Sequence, residues 1–335
     1  MNFEEKVTQL SQIIDERLLP LIRQSRSNEC IYLELPYYRN IGDILIWHGT
    51  EYFLKRAGLK CLYKASLSTY SEQAMKKITR LGETTSSKKI MVFLQGGGNF
   101  GDLWEGAQEF RKKIIAGHPD SQIVILPQTV FYNDVNKMKY DADLFAGHKN
   151  LTICARDKKS YQILKENFSN NIILVPDMAF CTPCSTLKKL QIKQRDKTLF
   201  LKRKDKEINS TIDYTNLIPE KKFEVRDWPS MEKMTINIFV MKSLVWASRR
   251  NPFLFSKLTD TYVTLFFKPN MVKIGVRFLS RYNKIYTTRL HVAILCCLLG
   301  KPYIFFDNSY GKNSSFFEAW LNDLDEVEFH YPSNE

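Results

Sequence analysis

Short apolar runs alternate with amphipathic stretches along the first half of this chain, and few folds accept that rhythm. Runs over 30–35, 61–64, 90–95, 122–127, 151–155 and 172–175 are strand-length and rich in Ile, Val and Leu. Between them lie helical patterns such as 44–57, closed by Gly58, and 157–167. Strands separated by helices predict parallel sheets with helices on both faces, a Rossmann-like α/β class.

The pattern is interrupted once and then resumes. After "VPDMAFCTPC" a Lys-rich stretch over 187–197 has the composition of a linker. Strands over 198–202 and 223–226, a strand near Ile285, a helix over 288–299, a strand over 302–306 and a helix near 315–324 follow. The 335 residues exceed the usual size of one hydrophobic core. The expectation is therefore two Rossmann-like domains, 1–186 and 187–335, facing each other across a cleft in a GT-B-like arrangement. Residues 228–270 are aromatic and basic and fit the alternation poorly. They are either ordinary helices of the second core or an apolar, positive surface that touches a membrane or a lipid-linked ligand.

The net charge of +13 admits a polyanionic partner, an anionic surface or an acidic substrate, and does not choose among them. No RRM, KH or helix-turn-helix signature orders the aromatic residues, so no nucleic acid is expected. The amino terminus is polar and acidic, and the longest apolar run, 292–299, is far short of the roughly 20 residues that cross a bilayer. A cytoplasmic chain is expected, peripheral at the inner face of the membrane if 228–270 is the apolar, positive surface rather than core helices. Seven cysteines and no secretory leader predict reduced thiols. Cys181 and Cys184 form a CxxC that no second pair completes, so no metal is expected.

Candidate chemistry falls directly after the predicted strands, on the edge where such sheets collect ligands. "YYRNIGDILIW" offers Asn40, Gly42 for a tight turn, and Asp43 as helix cap or cleft carboxylate. "FLQGGGNFGDLW" satisfies GxGxxG with Gly96, Gly98 and Gly101, but the next strand ends "ILPQT" without the acid a dinucleotide ribose requires. What remains is a glycine turn, including Gly97, that brings backbone N–H groups and Asn99 close to a ligand at a helix start. "ICARDKKSY" puts Arg156 at a strand tip with Asp157 and Ser160 at the helix entrance, and "VPDMAF" puts Asp177 after the following strand.

"TTRLHVAILCCLLG" is the least ordinary segment. On a helix beginning near Thr288, Arg289 and His291 fall in the first turn, where the helix dipole favours anions and gains nothing from cations. An anionic ligand that neutralises them explains the placement; an Arg–acid ion pair with a structural histidine is the alternative.

"NIGDILI", "LQGGGNFGDLW", "LPQT", "ARDKKSY", "PDMAF" and "TTRLHVAILCCLLGKPY" occur here in the order found in polysaccharide pyruvyl transferases, which the chain resembles over roughly residues 36–320. The resemblance implies a GT-B-like transferase that moves a pyruvyl group from phosphoenolpyruvate to a sugar of a cell-surface polysaccharide precursor, forming a ketal and releasing phosphate. It also implies donor roles for Arg289, His291 and Arg156, with Ser160 in the same motif as Arg156. Lys202 and Arg203 at a strand end would add to this anion site. The chemistry needs a proton donor and a base but no metal or redox cofactor. The expected donor is His291, which also binds phosphate; the expected base is Asp43. Asn40 and Asn99, with Gly97 and Gly98, would orient a saccharide acceptor, free or lipid-linked, and Asp177 would orient an arginine or act as acid or base. A GT-B glycosyltransferase using a nucleotide sugar is the rival expectation.

Overall fold

The structure, a computed structural model, describes residues 1–86, 90–203 and 214–331. Of the basic segment "LKKLQIKQRDKTLFLKRKDK", 187–206, residues 204–206 lie outside the described residues. The first half builds a parallel seven-stranded sheet from β1 (Glu29–Leu33), β2 (Lys60–Ala65), β3 (Met91–Leu94), β4 (Gly97–Gly101), β5 (Gln122–Phe131), β6 (Leu151–Ala155) and β7 (Asn171–Leu174). Its order is β2-β1-β3-β5-β6-β7, with β4 also on β5. Helices α1 (Phe3–Ser25), α2 (Ile41–Arg56), α3 (Glu72–Ser86), α4 (Glu105–Gly117), α5 (Val135–Ala146) and α6 (Lys158–Asn167) accompany it. A short α7 (Cys184–Lys188) leads to β8 (Thr198–Leu201), β9 (Glu224–Arg226), α8 (Pro229–Glu232), α9 (Ile236–Arg250), α10 (Pro252–Tyr262), α11 (Lys268–Ser280), β10 (Lys284–Thr287), α12 (Leu290–Leu299), β11 (Tyr303–Phe306), α13 (Lys312–Trp320) and β12 (Val327–His330). The second sheet is parallel, in the order β12-β11-β10-β8-β9. Two parallel sheets, each needing cover on its faces, confirm the expected fold class. The expected boundary at 186/187 falls inside α7.

Several local expectations change. The stretch after β3 is not a turn opening a helix: it is β4, which takes over from β3 along β5 after a break at Gln95 and Gly96. Strand β5 does not end at Pro127 but runs on to Phe131. A proline inside a strand removes one ladder donor, and the pairing with β6 shifts register between Ile125 and Gln128 to absorb it. Gly42 is not in a turn but in the first turn of α2, with Asn40 as the N-cap whose side chain accepts from the Gly42 N–H. Gly58 follows the α2 C-cap at φ +70°, as a helix-terminating glycine should.

The two sheets share one apolar core. Leu10, Ile14 and Leu18 of α1 recur at helical spacing and are almost fully buried, so α1 packs against α12 and the 3₁₀ turn Met178–Cys181. Helix α12 is buried along nearly its whole length, contacts both α1 and α2, and ends at Gly300 in the left-handed conformation. Each such aliphatic side chain contributes about 1.5–3 kcal/mol on burial. This shared core fixes the carboxyl edges of the two sheets against one another.

Candidate active site

Those edges enclose a cavity of about 760 Å³, walled by Asn40 and Asp43 after β1, Gly98 and Asn99 of β4, Arg156 after β6, Arg203 after β8, Trp228 after β9, Arg289 and His291 after β10, and Lys312 after β11. One end is cationic. Arg156 is fully buried; its Nε donates to Thr129 Oγ1 at 2.9 Å and its Nη1 to Asp177 Oδ2 at 2.8 Å. Its Nη2, also buried, has no hydrogen-bond partner among the described residues. A buried guanidinium nitrogen without an acceptor is costly unless something anionic comes to it. A methyl group on Gly98 would lie 2.9 Å from that nitrogen and 2.8 Å from Lys312 Nζ, so two cations converge over Gly98 and an added methyl would have to push them away.

His291 reaches the same end of the cavity. Its Nε2 lies 3.4 Å from Asp177 Oδ2, a charge contact too long for a good hydrogen bond, and is buried without a hydrogen-bond partner among the described residues. Burial pushes the Asp177 carboxyl up, but His291, Arg156 and the Ala179 N–H outweigh it and hold the group well below the usual carboxylate range. Asp177 is thus an anion shared between Arg156 and His291. On the other side the imidazole lies against α2: a Cβ on Gly42 would come within 2.4 Å of His291 Nδ1. Gly42 is there to let the ring approach the helix, and not to turn the chain.

Arg289 stands one residue ahead of its expected place. It is the N-cap of α12, its N–H bound by Thr287 Oγ1 at 2.9 Å, while Thr288 Oγ1 accepts from the Arg203 N–H at 3.1 Å. The two threonines therefore tie the helix start and the end of β8 together. Asp227 grips Arg289 through Nε and Nη2 at 2.6 and 2.7 Å, so the ion-pair alternative holds for this residue even as it lines the cavity.

Next to Gly42, Asp43 lies in the first turn of α2 and its Oδ2 accepts from Asn40 Nδ2 at 2.7 Å. Asn40 caps the helix and orients this carboxylate, which the cap leaves facing the cavity. Asn99 is engaged from behind: its Nδ2 donates to Glu34 at 3.3 Å and its Oδ1 accepts from Arg111 at 2.5 Å. Glu34 and Arg111 form a buried bidentate pair, and Glu34 occupies the left-handed region at φ +69°, a strained conformation for a non-glycine residue beside a site. The apolar part of the lining is Tyr38, Leu67, Trp104, Met231 and Trp228, the last directly after the Asp227 that holds Arg289; Trp104 is 42% exposed.

The structure thus brings Asn40, Asp43, Gly98, Asn99, Arg156, Arg203, Arg289 and His291 to one cavity, with Asp177 behind it. It does not bring Ser160 there: that hydroxyl is buried, accepting from the Val130 N–H and donating to Asp157, a structural duty at the start of α6. Gly97 lies beside Asp43, beneath the wall. Sequence reasoning missed Lys312, Asp227 and the aromatic end. The signal for Lys312 was its place between a strand and the helix that follows, in "FFDNSYGKN"; Asp307 and Asn313 fasten that helix start to β10 and β11. Among the described residues no group of three His, Cys, Asp or Glu side chains could hold a metal ion.

The model of the family described as polysaccharide pyruvyl transferase matches residues 40–310. A Bacillus subtilis (strain 168) protein named "Putative pyruvyl transferase EpsO" is 33% identical over 301 residues, covering 88% of this chain and 86% of its own. "Pyruvyl transferase 1" of Schizosaccharomyces pombe (strain 972 / ATCC 24843) is 27% identical over 304 residues, covering 86% of this chain and 68% of its own. A crystal structure of a functionally uncharacterized protein from Klebsiella pneumoniae subsp. pneumoniae NTUH-K2044 shares the fold, with a TM-score of 0.60 at 20% identity over 95% of this chain and 99% of that one. With the family model spanning most of the chain, this chain belongs to the polysaccharide pyruvyl transferase family.

Proposed function

We propose that the chain transfers a pyruvyl group from phosphoenolpyruvate to two hydroxyls of a sugar in a polysaccharide precursor, forming a ketal and releasing phosphate. The observation that carries the reading is the unpartnered Nη2 of buried Arg156, converging with Lys312 over Gly98 beside His291. Phosphoenolpyruvate concentrates nearly three negative charges on few atoms, and an arginine and a lysine at one point suit its phosphate. Arg203 and Arg289 supply further positive charge for the carboxylate.

The residues divide the proton work. His291, its Nε2 3.4 Å from the Asp177 carboxylate, protonates C3 and leaves an oxocarbenium-like centre at C2. Asp43 accepts the proton of the first sugar hydroxyl as its oxygen bonds to C2. The C2–O bond to phosphate then breaks, the second hydroxyl adds, and its proton leaves. Of the two hydroxyl protons, one is accounted for in the new methyl group and one on the departing phosphate. The acceptor ring lies toward Tyr38 and Trp104, whose exposed rings suit the apolar side of a sugar.

The test is phosphate release from phosphoenolpyruvate with a panel of soluble glycosides, comparing wild type with His291→Ala and Arg156→Ala. Acceptor-dependent release that both substitutions abolish in folded protein supports the reading; release that survives both contradicts it.

A further inference from the structure

Helices α9 and α10 carry a surface that neither sheet covers. On α9, Ile236, Phe239 and Trp246 fall on one helical stripe facing solvent, while Ile238, Met241 and Ser248 face inward and are buried. Ile236 is 82% exposed. Helix α10 packs on α9, with Ser248 and Thr259 hydroxyls 2.6 Å apart in the seam, and presents Phe253, Leu254 and Leu258 outward. Phe253 is 100% exposed. The π-helical turn Val263–Phe267 that follows adds Leu265 and Phe266. Scattered exposed apolar residues need no explanation, but eight from three consecutive elements packed on one another do.

The charge of the same region indicates what covers it. From 233 to 281 the sequence holds nine Lys and Arg residues and a single acid, Asp260. That acid is turned inward, accepting from Tyr37 Oη at 2.7 Å. Lys242 and Arg249 border the apolar stripe of α9 at helical spacing, and both are exposed. The Arg250 guanidinium lies 3.9 Å from the centre of the Trp246 ring, pairing a cation with an amphipathic aromatic as at a headgroup boundary. A protein partner of this chemistry would have to be both apolar and strongly acidic; an anionic bilayer supplies both properties in one surface.

We infer that α9, α10 and the π-helical turn form a docking surface for an anionic membrane. The contact is peripheral: among the described residues no helix is long and apolar enough to cross a bilayer. The patch also adjoins the cavity along the chain. Trp228 and Met231 line the cavity, and α9 begins five residues after Met231, a reach of at most about 18 Å. The docked protein would therefore hold the aromatic end of its cavity near the bilayer, where a sugar carried on a lipid is presented; this last step rests on the function proposed above.

The test uses the full chain and flotation with phosphatidylcholine vesicles, with and without phosphatidylglycerol, in the absence of phosphoenolpyruvate and acceptor. Wild type is expected to float with the phosphatidylglycerol vesicles and to be released by high salt. Arg249→Glu with Arg250→Glu is expected to weaken binding about tenfold or more. Phe253→Ser with Leu254→Ser should have a comparable effect through lost insertion. Both variants should keep the wild-type circular dichroism and the phosphate release seen with soluble glycosides. Wild type that floats with neither vesicle, or binding that both variants retain, overturns the inference. So does a concentration-dependent dimer that Phe253→Ser abolishes, since a second copy would then cover the patch. Because flotation needs neither substrate, its failure is separate from a failure of the transfer reading.

Discussion

The two ends of the cavity are built by opposite means. At the cationic end, Arg156, Arg289 and their acids Asp177 and Asp227 are almost completely buried, each held by two or more charge-assisted hydrogen bonds and anchored to a strand end. At the aromatic end, Tyr38, Leu67 and Trp104 come from loops and remain about half exposed. Buried charges must be paired in advance, which holds the cationic residues in place, whereas an exposed aromatic wall tolerates different shapes. On the function proposed above, the contrast suits a constant donor at the cationic residues and a variable acceptor at the aromatic ones.

The assignment breaks most readily at His291. Substitution by Ala is expected to lower kcat by about 10²–10⁴-fold, the usual worth of a general acid, with little change in thermal stability. Steady-state kinetics beside a melting curve would check both parts. Asp177→Ala should act mainly on the fold: removing one partner of a buried ion pair costs about 3–5 kcal/mol, read as a lowered urea midpoint. Gly42→Ala should misplace the imidazole by forcing Nδ1 away from α2, at a cost of up to about 10²-fold in kcat while phosphoenolpyruvate affinity holds.

The aromatic end should respond more weakly and in a different parameter. Trp104→Ala removes about 0.5–1.5 kcal/mol of stacking, raising the KM for acceptor roughly 2–13-fold and leaving donor binding unchanged. If Trp104→Ala instead weakens phosphoenolpyruvate, the two ends are not separate sites. The smallest expected effect is a pH dependence. The Asp177 carboxyl is held down in the folded chain, so below about pH 4 the unfolded chain binds more protons than the native one. Its stabilisation is present above that range and lost as pH falls through it. Asp177→Asn should therefore show a shallower fall in urea midpoint between pH 5 and pH 3.5 than wild type, from a lower start, as about one proton's linkage is removed.

The cationic end was also the more legible in sequence, and for the same physical reason. Arg156, Arg289 and His291 follow strands closely, on the edge where such sheets collect ligands, so their positions mark that edge even though both arginines are also held by acids. Their partners were less visible: Asp227 is 62 residues from Arg289, and only the closed sheet brings the two together. Glycine roles were legible as positions but not as causes. Gly42 was read as a turn, whereas close approach to His291 across the two halves decides it. The alternation of runs revealed both sheets but not β4, because a strand made of Gly-Gly-Asn-Phe-Gly has almost no strand-forming side chains and is held by its pairing with β5. The aromatic wall escaped because its members come from separate loops with no shared period.

The most direct measurement is a calorimetric titration of phosphoenolpyruvate into wild type and into Gly98→Ala. The added methyl would sit where Arg156 Nη2 and Lys312 Nζ converge, within 2.9 Å of both. Saturable binding to wild type, weakened about tenfold or more in a folded Gly98→Ala variant, is the expected result. No heat with phosphoenolpyruvate, together with saturable binding of a nucleotide sugar, would contradict the donor assignment and make the cationic end a diphosphate site.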